Sequence, residues 1–419
     1  MCGILVYKKK GNNKYIGNRG PDSKDELKKG EFTFVHSLLS ITGSFTKQPL
    51  VDGNIVCLFN GEIYDRKFVE SDGEVIIPLY KKYGGNFAQH LNGEFAIALY
   101  DFDKKEVIFA TDTFGTKPLW VNGIECGSLE SGVGGERLQP NTILVKDFSD
   151  KIINEYKTHT FDFDNQTKES YDDWCTAFDK AVEKRLTLHC FIGLSSGYDS
   201  GAIDCSLKKL GSPHKSYSVI NNENPEVLMK RNPDELIALN QELLDQSEKV
   251  LKDHADDYSY ERADGSVFKD GSSKGLTYIC NRAMHEGKKV YISGQGADEI
   301  YGDYKMYPGQ SNFHNNVTDK RWALGHKLGF PDDLKEWKNF RGDMNRDYIM
   351  KEELVSGAFG KEGRYPFLDK DVVQEFLWLT PELKNKNYKA PIEYYLTKNK
   401  YPFKKDEKRG FNPTQQYAV

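Results

Sequence analysis

The chain reads as two domains of different class. A strand-rich α+β half built on stacked antiparallel sheets precedes an α/β half built on a doubly wound parallel sheet. Three observations predict this. At 419 residues the chain exceeds what one hydrophobic core usually serves. Its first 150 residues hold many short apolar runs and few helical periods. Beyond residue 171, strand-like and helical runs alternate, and a Ser/Gly turn from Ser195 to Ser200 stands between a strand and a helix.

The formal net charge of −5 leaves no basic surface for nucleic acid, and the lysines are interspersed with acids as on an ordinary solvated face. Seven scattered cysteines without a CxxC spacing argue against a disulfide framework or a zinc knuckle, and for a reducing, cytoplasmic setting. Gly3-Ile4-Leu5-Val6-Tyr7 is too short for a signal-peptide core, and no apolar run is long enough to span a bilayer.

In order along the first half, Cys2 stands directly before an apolar run. With the initiator Met removed it would carry a free α-amine of pKa near ~8, able to act as general base for its own thiol. Taken alone, a buried N-terminal Cys packs as a small hydrophobe. Arg19-Gly20-Pro21-Asp22 is followed by His36 in a strand-like run. Residues 57–64 read as a strand ending in a turn at Asn60-Gly61, in isolation a type I′ hairpin turn. Ser71-Asp72-Gly73-Glu74-Val75 opens an amphipathic helix to Tyr83, with Asp72 at its capping end. Residues 91–101 and 106–110 read as strands. Residues 151–170, polar and aperiodic, are the expected linker between a domain at 1–150 and another at 171–419.

The second half opens with a helix expected over 171–186, with Trp174, Phe178, Ala181 and Val182 on one face. A strand then leads into Leu194-Ser195-Ser196-Gly197-Tyr198-Asp199-Ser200, followed by a helix over 201–210 and a strand over 215–220. This order aims backbone N–H groups and a helix N-terminus at an anion, without the lysine of a GxxxxGK[ST] loop. Helices are expected over 233–252 and 274–286, and a strand over 289–292. That strand delivers Ser293-Gly294-Gln295-Gly296-Ala297-Asp298-Glu299, which alone would be a Gly-rich turn with capping carboxylates.

From Cys2 to about Leu129 these motifs, in this order, resemble the class II glutamine amidotransferase domain of the asparagine synthetase family, an Ntn-type αββα sandwich. The resemblance implies that Cys2 attacks the side-chain amide of glutamine, that Asn60 and the Gly61 N–H form the oxyanion hole, and that Glu62 and Asp72 hold the α-amine. Two preorganised donors suit a tetrahedral oxyanion. One departure is Leu38, in His36-Ser37-Leu38-Leu39, where the family has an arginine that grips the α-carboxylate. Leucine offers no bidentate cation, and Arg19, Lys47 and Arg66 are the candidate replacements.

The loop from Ser195 to Ser200 resembles the S-G-G-x-D-S loop of the PP-loop ATP pyrophosphatases, and residues 294–302 resemble the family's G-E-G-x-D-E-x-F-G motif. Glu362-Gly363-Arg364-Tyr365-Pro366-Phe367-Leu368-Asp369 resembles E-x-R-x-P-F-L-D. The resemblance implies that ATP is held by Leu194, Ser195, Ser196, Gly197, Asp199, Ser200, Ser293 and Gly294, with Mg²⁺ on Asp199 and Asp298. It also implies substrate-binding roles for Glu362, Arg364 and Lys389, and places Lys408, in Glu407-Lys408-Arg409-Gly410-Phe411, over pyrophosphate. Asp270-Gly271-Ser272-Ser273 falls where the family has a nucleotide-side stretch. The second departure is Gln295, which replaces a glutamate facing the acyl-adenylate and the incoming ammonia. A neutral amide can orient by hydrogen bonds but cannot take a proton. Ser196, Tyr198 and Asp303 depart in smaller ways.

Together these features imply a carbon–nitrogen ligase that takes ammonia from glutamine, activates a carboxylate with ATP as an acyl-adenylate, and amidates it, with aspartate the default acceptor. The implied partners are glutamine, ATP and that carboxylate, with no nucleic acid or membrane and a homodimer as a possible assembly. Two alternatives stay open: a ligase of the same fold acting on a sugar uronate, peptide or small metabolite, and a non-catalytic nucleotide-binding homologue.

Overall fold

The computed structural model describes residues 1–12, 14–64, 70–260, 265–301, 336–384, 386–405, 407 and 411–414. Arg66, Asp303 and Lys408 lie outside them. Two six-stranded antiparallel sheets make the first half. In one, Gly3–Tyr7 lies between Phe32–Leu38 and Glu125–Gly127, so Cys2 stands at the entrance of a central strand. In the other, Ile55–Ile63 pairs along its whole length with Gly93–Asp101. The period-two alternation of strands sorts their side chains between two faces. Ile4, Val6, Phe32 and Phe34 of one sheet meet Val56, Leu58, Ala96 and Ala98 of the other in an apolar core between them. On the outer face of the second sheet, Ile76, Ile77 and Tyr80 of the Ile76–Tyr83 helix cover Phe59, Ile97 and Leu99. On the outer face of the first, Ile16 of the Ile16–Arg19 helix meets Leu5, Val35 and Leu129. The result is an αββα sandwich.

The second half is a five-stranded, all-parallel sheet in the order Glu235–Ile237, Lys215–Val219, Cys190–Gly193, Val290–Ile292, Glu362–Arg364. Cys190 and Ile192 face Trp174, Phe178 and Val182 on one side, while Phe191 faces Tyr217, Leu276, Tyr291 and Leu354 on the other. Helices therefore cover both faces. The chain runs outward in one direction from Cys190–Gly193 and in the other from Val290–Ile292, so these neighbours flank a topological switch point, where doubly wound sheets bind ligands. No helix among the described residues is long and apolar enough to cross a membrane.

Most of the elements expected in the second half fall within three residues of expectation. Four readings are corrected. Asn60-Gly61 is not a turn: Asn60 lies opposite Ala96 and Gly61 opposite Phe95 in mid-ladder. Asp72 does not cap its helix but accepts the Ile63 N–H at 2.9 Å, tying a strand end to a 3₁₀ turn. The first part of the expected linker is a strand, Ile152–Lys157, on the edge of the second sheet beside Thr142–Asp147; its side chains lie mostly in solvent, so its sequence carries no apolar alternation. Finally, the helix expected from 233 starts at Gln241, capped by Asn240, because Glu235–Ile237 is an edge strand. Asp234 accepts the N–H and hydroxyl of Ser216 instead of capping anything.

Candidate active sites

The first site gathers at the entrance of the Gly3–Tyr7 strand. A cavity of about 40 Å³ is lined by Cys2, Leu38, Thr42, Gly61, Glu62, Asp72 and Glu362, among others. Burial pushes the Cys2 thiol up to about 11, with the neighbouring α-ammonium opposing it, and burial lowers the Met1 amine to about 6. Both side-chain polar atoms of Asn60 are buried without a hydrogen-bond partner among the described residues. A buried amide left in that state is one that a ligand would satisfy. Gly61 has φ +136°, and a Cβ there would stand 1.8 Å from the Glu94 carbonyl oxygen, so only glycine brings its N–H to this place. Burial raises the Glu62 and Asp72 carboxyls; Arg364 holds Glu62 back, and Glu62 pushes Asp72 further up.

Of the cations considered as substitutes at Leu38, Arg19 does not line the cavity. Its Nε donates to the Cys2 carbonyl at 3.2 Å and its guanidinium pairs with Glu353 at 3.7 Å. Lys47 pairs with Asp25 at 3.1 Å.

The second site lies at the switch point, in a cavity of about 310 Å³, the size of a small-molecule pocket. The loop after Cys190–Gly193 and the loop after Val290–Ile292 form one wall, so close that a Cβ on Gly294 would stand 3.0 Å from the Asp199 Cβ. Within the first loop, Gly197 N–H donates to the Ser195 hydroxyl at 3.1 Å, and Ser195 N–H to the Ser200 hydroxyl at 3.0 Å. Ser196 N–H donates to a carboxylate, Glu223, at 2.5 Å. Leu194, Ser195, Gly197, Asp199, Ser200, Ser293, Gly294, Gln295 and Asp298 all line the cavity. The buried Lys389 ammonium meets both Asp199 oxygens at 2.6 and 2.7 Å and Asp298 at 2.7 Å, which makes the two carboxylates converge on one cation. Tyr388 donates to Asp298 at 3.2 Å. Asp270 caps the Gly271–His285 helix through Ser272 N–H at 2.7 Å, and Ser272 lines the cavity. Burial raises the Glu352 and Glu299 carboxyls to about 7.

Glu362 and Arg364 stand at the first site. Their strand belongs to the parallel sheet, yet neither side chain lines the second cavity. Arg364 pairs with Glu62 at 2.6 Å and with Glu362 at 2.8 Å, and the Glu362 carboxylate lies 3.7 Å from the Met1 amine. Sequence reading missed Glu223, Tyr388 and Glu352, which carry no motif of their own. It also missed the buried charges between the halves, Lys117 on Glu353 at 3.0 Å and Arg185 on Glu94 at 2.7 Å, the latter arginine also braced by Asp369 of its own half at 2.8 Å.

Comparison with known proteins sorts the chain in the same way. A glutamine amidotransferase domain model matches residues 1–173 and an asparagine synthase model matches residues 174–342. The probable glutamine-hydrolysing asparagine synthetase of Schizosaccharomyces pombe is 26% identical over 92% of this chain and 77% of its own length. Glutamine-hydrolysing asparagine synthetase 1 of Arabidopsis thaliana is 26% identical over 95% of this chain and 71% of its own length. That of Triphysaria versicolor is equally similar, at 26% over the same shares. With the two domain models in tandem and relatives of one kind spanning nearly all of it, the chain belongs to the glutamine-hydrolysing asparagine synthetase family.

Proposed function

We propose that the protein is a two-site amide ligase. Cys2 releases ammonia from glutamine, and the switch-point cavity activates a carboxylate, aspartate by default, as an acyl-adenylate that ammonia converts to an amide. The observation that carries this reading is the second cavity, with its two Gly/Ser loops and two carboxylates converging on a single cation. The Ser196 N–H already holds an anionic oxygen, that of Glu223, as a phosphate-cradling loop should.

Mg²⁺ fits this arrangement, since Asp199 and Asp298 already meet one positive charge and a magnesium–triphosphate site needs one or two carboxylates. Bound there, the ion would supply charge neutralisation for the phosphates. In the first site, Asn60 and Gly61 would stabilise the oxyanion formed on attack by Cys2, and Glu62 and Asp72 would receive the glutamine ammonium. Separate sites keep the activated acyl group away from water.

The test is Mg²⁺-dependent AMP formation with a panel of carboxylates and either glutamine or ammonium as donor. Aspartate with glutamine is expected to yield AMP, glutamate and asparagine in equal amounts. Consumption of a uronate, peptide or other metabolite instead would move the acceptor, with Gln295 as the residue to examine. No AMP with any carboxylate would leave a nucleotide-binding protein and overturn the proposal.

A further inference from the structure

We infer that Glu352 is the proton acceptor of the amide-forming step, replacing the carboxylate that Gln295 does not provide; this rests on the ligase reading above. Glu352 belongs to the Asp343–Ala358 helix, far in sequence from either loop, yet it lines the same cavity as Ser293, Gln295 and Asp298. The Ser293 side chain joins the two residues. Its oxygen accepts the Gln295 N–H at 3.0 Å, and its hydroxyl hydrogen-bonds the Glu352 carboxylate. Glu352 Oε2 is buried without a hydrogen-bond partner among the described residues. Such an atom in the wall of a ligand-sized cavity points to a polar ligand against it.

The cavity's other carboxylates have work in holding the site together. Asp199 and Asp298 meet Lys389, Glu223 meets Ser196, Glu407 meets Asn224, and Glu299 accepts the Gly296 N–H at 3.0 Å and hydrogen-bonds the Gln295 side chain. Burial raises Glu352 to about 7, suited to a base that exchanges protons at neutral pH. The groups around it are Lys351 and Glu353 on its own helix, Glu299 of Ala297–Tyr301, Tyr291 of Val290–Ile292, Cys280 of Gly271–His285, and Tyr365.

The step balances. The ammonia lone pair forms the C–N bond at the acyl carbon, and the acyl–oxygen bond to the phosphate breaks, with its electron pair leaving on AMP. The surplus N–H proton passes to Glu352, which returns it to solvent.

The experiment compares Glu352→Gln and Glu352→Asp with the unsubstituted enzyme in two assays: ATP–pyrophosphate exchange and amide formation from ammonium, the latter across pH 6 to 9. For Glu352→Gln, amide formation is expected to fall about 10²- to 10⁴-fold. Exchange should fall far less, and the rise in amidation near pH 7 should disappear. Glu352→Asp should recover part of the amidation and restore the rise; if Glu352→Gln does not fold, this variant decides alone. Equal losses in both assays, amidation at the original rate, or an unmoved pH profile would overturn the inference. Absence of exchange in the unsubstituted enzyme with every carboxylate would instead overturn the ligase reading itself.

Discussion

His36 lies in the Phe32–Leu38 strand, fully buried, its Nε2 3.3 Å from the Phe59 carbonyl oxygen. Burial lowers it to about 4, against an ordinary value near ~6.5. Between those values the unfolded chain binds more protons than the folded one, so stability rises with pH across this window. It is fully present above about pH 6.5 and is lost as pH falls toward 4. The loss attributable to His36 is about 3 kcal/mol. The expected outcome is that urea midpoints drop more steeply between pH 6.5 and 4 for the natural chain than for His36→Gln, whatever the variant's absolute stability. Parallel slopes would mean that His36 does not titrate this way. Residue identity made this neighbourhood legible, since Cys2, Asn60, Glu62 and Asp72 all meet at one cavity or beside it. Their backbone setting was not, because an Asn-Gly pair suits a tight turn as well as it suits a strand that needs a glycine at φ +136°.

At the scale of elements, the Cys190–Gly193 and Val290–Ile292 strands end side by side and their loops touch. Gly294 has no room for a side chain on its Asp199 face, so Gly294→Ala must separate the loops by several tenths of an ångström. ATP–pyrophosphate exchange is expected to fall at least about tenfold, as small displacements at a reacting site do, with glutamine hydrolysis nearly retained. A parallel loss of both would place the fault in folding rather than in the nucleotide site. The two loops were legible because glycines, serines and acids follow apolar runs in a recognisable order. Glu223 and Glu352 were not, since each reaches the cavity only through the sheet's topology. The edge strands escaped for a related reason: Glu235–Ile237 and Glu362–Arg364 are three residues each, too short for a period to register.

Over the whole molecule, the halves meet through buried charges as well as aromatic contacts such as Phe114 on Phe340 and Trp120 on Tyr258. Lys117, Arg185 and Arg364 pair across the boundary with Glu353, Glu94 and Glu62 respectively. Removing one member of such a pair leaves its partner buried and uncompensated, at a cost of about 3–5 kcal/mol. Arg364→Met is therefore expected to lower the unfolding midpoint. It should also reduce glutamine hydrolysis at least about tenfold while exchange declines less, although the substitution lies in the parallel sheet. A larger fall in exchange would instead tie Arg364 to the second site.

The Glu362–Arg364 strand also bears on modularity. Its backbone accepts the Ser293 N–H on the Arg364 carbonyl at 2.9 Å and so steadies the loop of one site, while its side chains wall the other. A fragment ending near residue 173 would keep Cys2 but lose Glu362 from its pocket. Recombining the two halves between relatives thus requires matching these three residues to the incoming partner, for the boundary of the amidotransferase as a working unit crosses the chain twice.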